Sequence, residues 1–252
     1  MLHSLGIAFA MYSKIPMPKV EWSEKNMTYC LGFFPLVGGV IGLCQLLGYY
    51  IMNRLAFEGS MTAVVLTVIP ILISGGIHMD GFLDTIDAKN SWKSGKERLQ
   101  ILKDPHTGAF AIIYGIVYLL VTFGLYTELM SEELLLLALG YVFERILSAL
   151  SLVTFKKARK DGMAVTTAGA AKKNVKWILI LEGVICAAVF LYLNPVYGGL
   201  MVLAGMLCFI SYRHMAYKYF DGTTGDLAGY FLQTCELTML LVLVLAGKLI
   251  GV

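Results

Sequence analysis

Asp80, Asp84 and Asp87 stand at i, i+4 and i+7 in the run Gly75-Gly-Ile-His-Met-Asp-Gly-Phe-Leu-Asp-Thr-Ile-Asp-Ala88. On a helix advancing about 100° per residue, their side chains fall within roughly 60° of one another. Three like charges on one stripe repel unless something gathers them. A hard divalent cation such as Mg²⁺ does so, and in turn holds phosphate. The plain alternative is a polar helix end at a membrane surface. The acids follow directly on an apolar run, Met61 to Ile77, with a glycine pair at the junction. That boundary position favours a site.

Other ionisable residues cluster in the same manner. Lys103, Asp104 and His106 precede Gly108, and Arg159 stands with Lys160, Asp161 and Gly162. The segment Asp221-Gly222-Thr223-Thr224-Gly225-Asp226 is a glycine-rich turn flanked by acids. Its backbone N–H groups can approach phosphate, and its acids a second metal; a tight interhelical turn reads the same way. Arg145, next to Glu144, lies within an apolar stretch, where ionised groups are costly. It reaches substrate phosphates or balances the acids, or else bridges two helices by pairing with a glutamate. The five cysteines are scattered singly through apolar segments without metal or disulfide spacing, and read as small core residues.

The elements that must position these groups are membrane helices. Of 252 residues, 58% are hydrophobic and 15% charged, with mean hydropathy +0.74, which excludes an ordinary soluble domain. A bilayer core about 30 Å thick needs roughly 20 helical residues to cross it. Seven stretches qualify: 29–52, 61–77, 108–126, 134–153, 177–194, 196–212 and 229–250. They are helices, because no strand alternation appears and unpaired backbone cannot face lipid. The expectation is an all-α polytopic protein forming a single domain over residues 1–252. Its 196–212 segment is either a separate span or part of a broken helix through Asn194-Pro195. Residues 1–15, apolar but without a basic start, read as an interfacial or re-entrant helix rather than a cleaved signal.

Charge placement orients the bundle. With the N-terminus cytoplasmic and the C-terminus outside, seventeen of twenty Lys and Arg lie inside; Arg54 and Lys248 lie outside and Arg145 within a span. The expected setting is the cytoplasmic (inner) membrane of a bacterium, with every polar cluster above facing the cytoplasm. The lipid bilayer is the expected macromolecular partner and no nucleic acid is, since topology and anionic lipid account for the loop cations.

The run from Gly75 to Asp87 closely resembles the signature of the cobalamin synthase (adenosylcobinamide-GDP ribazoletransferase) family. The likeness extends nearly end to end. Tyr12-Ser-Lys-Ile-Pro-Met-Pro18 is similar to the family's N-terminal segment and Phe34-Pro35-Leu36-Val37-Gly38 to its first span. Lys103-Asp104 through Gly108-Ala109-Phe110 is similar to its Arg-Asp-Ser-Arg-x-Gly-x-Phe element, with Pro105-His106-Thr107 departing from the usual residues. Thr224-Gly225-Asp226, followed by Glu236, is similar to its C-terminal Gly-Asp-x-x-Gly element.

The resemblance implies a reaction. Such enzymes join α-ribazole or its 5′-phosphate to adenosylcobinamide-GDP and release GMP, the last assembly step of cobalamin. Mg²⁺ on Asp80, Asp84 and Asp87 would bridge the pyrophosphate oxygens, with Asp226 or Asp104 carrying a second metal or acting as base. Lys103, His106, Arg159, Gly222, Thr224 and Gly225 become the expected substrate contacts. Two roles stay open for His78: base for the ribose hydroxyl, or hydrogen-bond orientation of an aspartate. Ideal helix geometry points it away from the acids and favours the second. A CDP-alcohol phosphotransferase is the alternative enzyme, but its Ala-Arg and its acid spacing are missing. A cation-coupled transporter would place acids near mid-membrane in repeated halves, and no halves repeat.

Overall fold

The computed structural model describes residues 1–250, and every regular element among them is a helix. In chain order these are α1 (Leu2–Tyr12), α2 (Glu24–Met27), α3 (Cys30–Arg54), α4 (Gly59–Ser74), α5 (Ile77–Asn90), α6 (Gly95–Ile101), α7 (Ala109–Glu128), α8 (Leu134–Thr154), α9 (Met163–Ala170), α10 (Val175–Leu193), α11 (Pro195–Phe220) and α12 (Gly225–Ile250). Six of them are long and apolar enough to cross a membrane, and the bent pair α4–α5 supplies a seventh.

Burial sorts the spans into centre and periphery. The apolar segment of α8 is 78% buried and that of α12 67%, whereas α7 and α10 stand at 22% and turn most of their surface outward. Gly38 and Gly42 on α3 lie directly against the backbone carbonyls of Tyr141 and Ala138 on α8. Small residues four apart allow this approach where lipid provides no hydrophobic drive between helices. A buried polar knot ties four helices at once. Gln45 Nε2 donates to Leu66 O at 2.8 Å and lies 3.1 Å from the hydroxyls of both Tyr126 and Tyr141.

Two segments depart from the sequence-based expectation. The stretch 61–77 does not continue as one helix: α4 stops at Ser74 and α5 leaves at 92° to it. Gly75 and Gly76 make the turn with φ of 65° and 78°, a region that residues with a Cβ enter only at a cost. Past Asn194-Pro195, the chain forms a separate helix that runs beyond 212 to Phe220. Asn194 Oδ1 accepts the N–H groups of Val196 and Tyr197, both at 3.0 Å, and Pro195 occupies the first turn, where its missing N–H costs nothing. Arg213 and Lys218 therefore ride on a helix. At the N-terminus, α1 is eleven residues long and buries Ile7, Ala8 and Met11 against Met27 and Cys30.

The bundle has two unlike ends. At one, Asn53, Phe57, Thr62, Thr127 and Ser131 surround a cavity of about 280 Å³, where α3 and α7 end and α4 and α8 begin. At the other lie the end of α1, the starts of α5 and α12, and α9. Helix α4 carries the chain from the first end to the second.

Candidate active site

The second end holds a cavity of about 270 Å³ whose walls differ in chemistry. Tyr12, Phe34 and His78 form one wall. The ring centroids of Tyr12 and Phe34 are 4.2 Å apart, and that of His78 lies 5.8 Å from Phe34 and 6.4 Å from Tyr12. Burial holds the Tyr12 phenol well above its usual range, so it stays neutral. Asp80, Asp226, Arg159 and the turn Thr223–Gly225 form the other wall.

His78 is 5% exposed, and neither of its ring nitrogens has a hydrogen-bond partner. It does not hydrogen-bond Asp80; the helix turns its ring toward the aromatics. A buried imidazole left so is costly, and a ligand hydroxyl in the cavity would relieve the cost.

The acid stripe forms as the spacing predicts, on α5, and tertiary packing adds a fourth carboxylate. A Cβ at Gly81 would stand 2.7 Å from the backbone oxygen of Asp226, and one at Gly229 would stand 2.9 Å from that of His78. These two glycines let α5 and α12 meet backbone to backbone. Asp84 thus feels the like charges of Asp80, Asp226 and Asp87, with Arg159 as the opposing cation. Arg159 Nη1 is 3.6 Å from Asp226 Oδ2, and its Nη2 donates to Leu99 O at 3.0 Å.

Asp87 has a further task. Its oxygens accept the N–H groups of Gly108 at 2.6 Å and Ala111 at 2.9 Å. It caps the N-terminus of α7, where a carboxylate also meets the favourable end of the helix dipole. No three His, Cys, Asp or Glu among the described residues converge on one metal position. The donor chemistry nevertheless fits Mg²⁺, which is usually held by one or two carboxylates and completes its shell with water and phosphate oxygens. Asp80, Asp84 and Asp226 supply such oxygens on facing helices.

Two loops are stapled together beneath the polar wall. Thr223 N–H donates to Lys156 O at 2.8 Å and Ala158 N–H to Thr223 O at 2.9 Å, a short parallel bridge that carries Arg159 to Asp226. Gly222, at φ 150°, passes against the backbone of Lys156 and Ala158, so it shapes the turn while Thr224 and Gly225 line the cavity. Thr224 Oγ1 accepts the N–H of Leu227 at 3.2 Å and lies 3.3 Å from Asp226 Oδ2. Lys157 Nζ bonds the carbonyls of Leu152 and Phe155 at the end of α8, and burial pushes its ammonium down to about 8.

The remaining expected site residues lie farther out. Lys103 pairs with Asp161 at 2.8 Å across two loops, holding that carboxyl below its usual range; Asp161 lines the cavity and Lys103 does not. In an exposed turn Asp104 Oδ1 accepts the backbone N–H of His106 at 3.0 Å and lies 2.7 Å from its Nδ1, which together hold the Asp104 carboxyl below its usual range; neither residue lines the cavity. Arg145 sits inside the bundle, wholly buried, paired with Glu144 and with Glu236 at 2.8 Å. It too is absent from the cavity lining. Sequence reading passed over Tyr12 and Phe34 as site residues, although both lie in the segments that carry the family likeness.

Comparison with known proteins converges on one group. The model of the cobalamin-5-phosphate synthase family matches residues 4–244. An adenosylcobinamide-GDP ribazoletransferase of Lachnoclostridium phytofermentans is 47% identical over 250 residues, covering 99% of this chain and 96% of that protein. Proteins of the same name from Clostridium botulinum and Clostridium perfringens are 31% and 27% identical, over 92% and 95% of the chain and 93% and 96% of their own lengths. No solved structure matches.

Proposed function

Because the chain belongs to the cobalamin-5-phosphate synthase family, and so is a membrane transferase of cobalamin biosynthesis, we propose that it joins α-ribazole or its 5′-phosphate to adenosylcobinamide-GDP and releases GMP. The observation that carries this reading is the two-sided cavity, aromatic on one wall and carboxylate–guanidinium on the other. A nucleoside has the same two sides, a flat base and a polar ribose.

In the reaction, the ribose hydroxyl oxygen bonds the phosphorus attached to the cobinamide arm. The P–O bond to GMP breaks, and GMP leaves with the electron pair. His78 accepts the hydroxyl proton on a ring nitrogen, both being without a partner inside the protein. Arg159 faces the negative charge of the pyrophosphate, and its bond to Leu99 O fixes its direction. The Thr224–Gly225 turn borders the same space. One or two carboxylates from among Asp80, Asp84 and Asp226 would hold Mg²⁺, which when bound would neutralise charge on the phosphate oxygens. Asp87 positions the start of α7 beside them.

The cavity faces the cytoplasm of a bacterial cell in this reading, because Arg159, which lines it, belongs to the cation-rich loop that follows α8. The deciding assay supplies purified protein with adenosylcobinamide-GDP, α-ribazole and Mg²⁺. GMP release matched by a cobamide product is expected. Absence of product, or GMP release that ignores α-ribazole, would overturn the proposal.

A further inference from the structure

A groove of about 490 Å³ runs between α11 and α12 and shares no lining residue with the catalytic cavity. Its wall is apolar along Leu207, Met215, Tyr230 and Phe231, and its upper end carries Lys89, Lys218 and Tyr219. Three cations gather on the Tyr219 ring: Arg98 at 5.0 Å from its centroid, Lys218 at 5.3 Å and Lys89 at 6.0 Å. Among the described residues none of the three pairs with a carboxylate, and Arg98 Nε is buried without a partner. Cation–π attraction draws each toward the ring but leaves their mutual repulsion uncancelled.

We propose that this groove binds one anionic phospholipid, with its phosphate among Lys89, Arg98 and Lys218 and an acyl chain along Leu207 and Phe231. Length supports that occupant. From Tyr219 to Leu207, α11 rises about 18 Å at 1.5 Å per residue, close to one leaflet of a bilayer core about 30 Å thick. A soluble phosphate would use the cations and leave the apolar trough idle. A zwitterionic lipid would bring its own ammonium to a place that already holds three positive charges.

The test is lipid retention, read independently of turnover. Detergent-washed protein is offered equal amounts of phosphatidylglycerol and phosphatidylcholine, and bound lipid is counted by native mass spectrometry. Retention of phosphatidylglycerol by about tenfold over phosphatidylcholine is expected. Lys89→Gln and Lys218→Gln should each weaken it by about fivefold, the effect of removing one surface cation, with helical content and GMP release in detergent unchanged. Leu207→Trp, which fills the trough but keeps the cations, should reduce retention of both lipids. Equal retention of the two lipids by wild-type protein would overturn the proposal. So would an unchanged preference in both lysine variants, or displacement of phosphatidylglycerol by inorganic phosphate alone, which would mark a soluble-anion site.

Discussion

Carboxylates at one place repel, so the worth of each depends on what neutralises it. Asp80 and Asp84 face Asp226 with Arg159 as the opposing cation, and Mg²⁺ with a pyrophosphate is the chemistry that uses such a cluster. Asp80→Asn or Asp84→Asn should abolish turnover while the protein remains folded and monodisperse in detergent. Near-normal GMP release from either variant would remove the metal assignment. His78 separates from the acids in a different way, by direction. With its ring among Tyr12 and Phe34 and no bond to Asp80, its role in the proposed reaction is on the ligand rather than on the metal. His78→Ala should lower kcat by about 10²–10⁴-fold, and excess Mg²⁺ should restore little of it. Recovery of most of the rate at high Mg²⁺ would instead return His78 to the role of orienting an aspartate.

Helices place these groups through contacts at single residues. At Gly81 the backbones of α5 and α12 touch, so a methyl group there must push the helices apart. Gly81→Ala should keep the bundle intact, since alanine favours a helix, yet lower turnover at least about tenfold by moving Asp80 and Asp84 away from Asp226. Full activity in that variant would show that the approach is dispensable. The end of α8 carries a titratable cap. Lys157 is pushed down to about 8 by burial, below the ordinary lysine value of about 10.4. Between these values the unfolded chain binds the proton more tightly, so the Lys157 contribution to stability rises with pH across that window. Thermal unfolding in detergent should show wild-type protein gaining on Lys157→Met from about pH 8 to about pH 10; parallel profiles would contradict the burial of the charged group.

The whole molecule is a bundle with a chemical end and a plain end. The proposed orientation puts Ser94 on the cytoplasmic side and Ser131 on the other. In a background lacking the native cysteines, Ser131→Cys should react with an impermeant thiol reagent in intact cells. Ser94→Cys should react only after the membrane is opened. Labelling at position 94 in intact cells would put the cavity on the wrong face.

Hydropathy and periodicity are local properties, and what rests on them was legible from the chain alone. The helical class, the spans and the acid stripe on α5 follow from neighbours a few residues apart. The bend at Gly75-Gly76 was marked by its glycines, but its 92° angle was not. Partnerships across helices were decided by packing. Only the tertiary structure set Arg159 against Asp226, turned Asp87 to cap α7, enclosed Arg145 between Glu144 and Glu236, and made Tyr12 and Phe34 a wall of the cavity. The reason is physical: a side chain's own helix fixes its direction, but its partner is fixed by which backbone can approach, and that depends on residues far away in sequence such as Gly81 and Asp226.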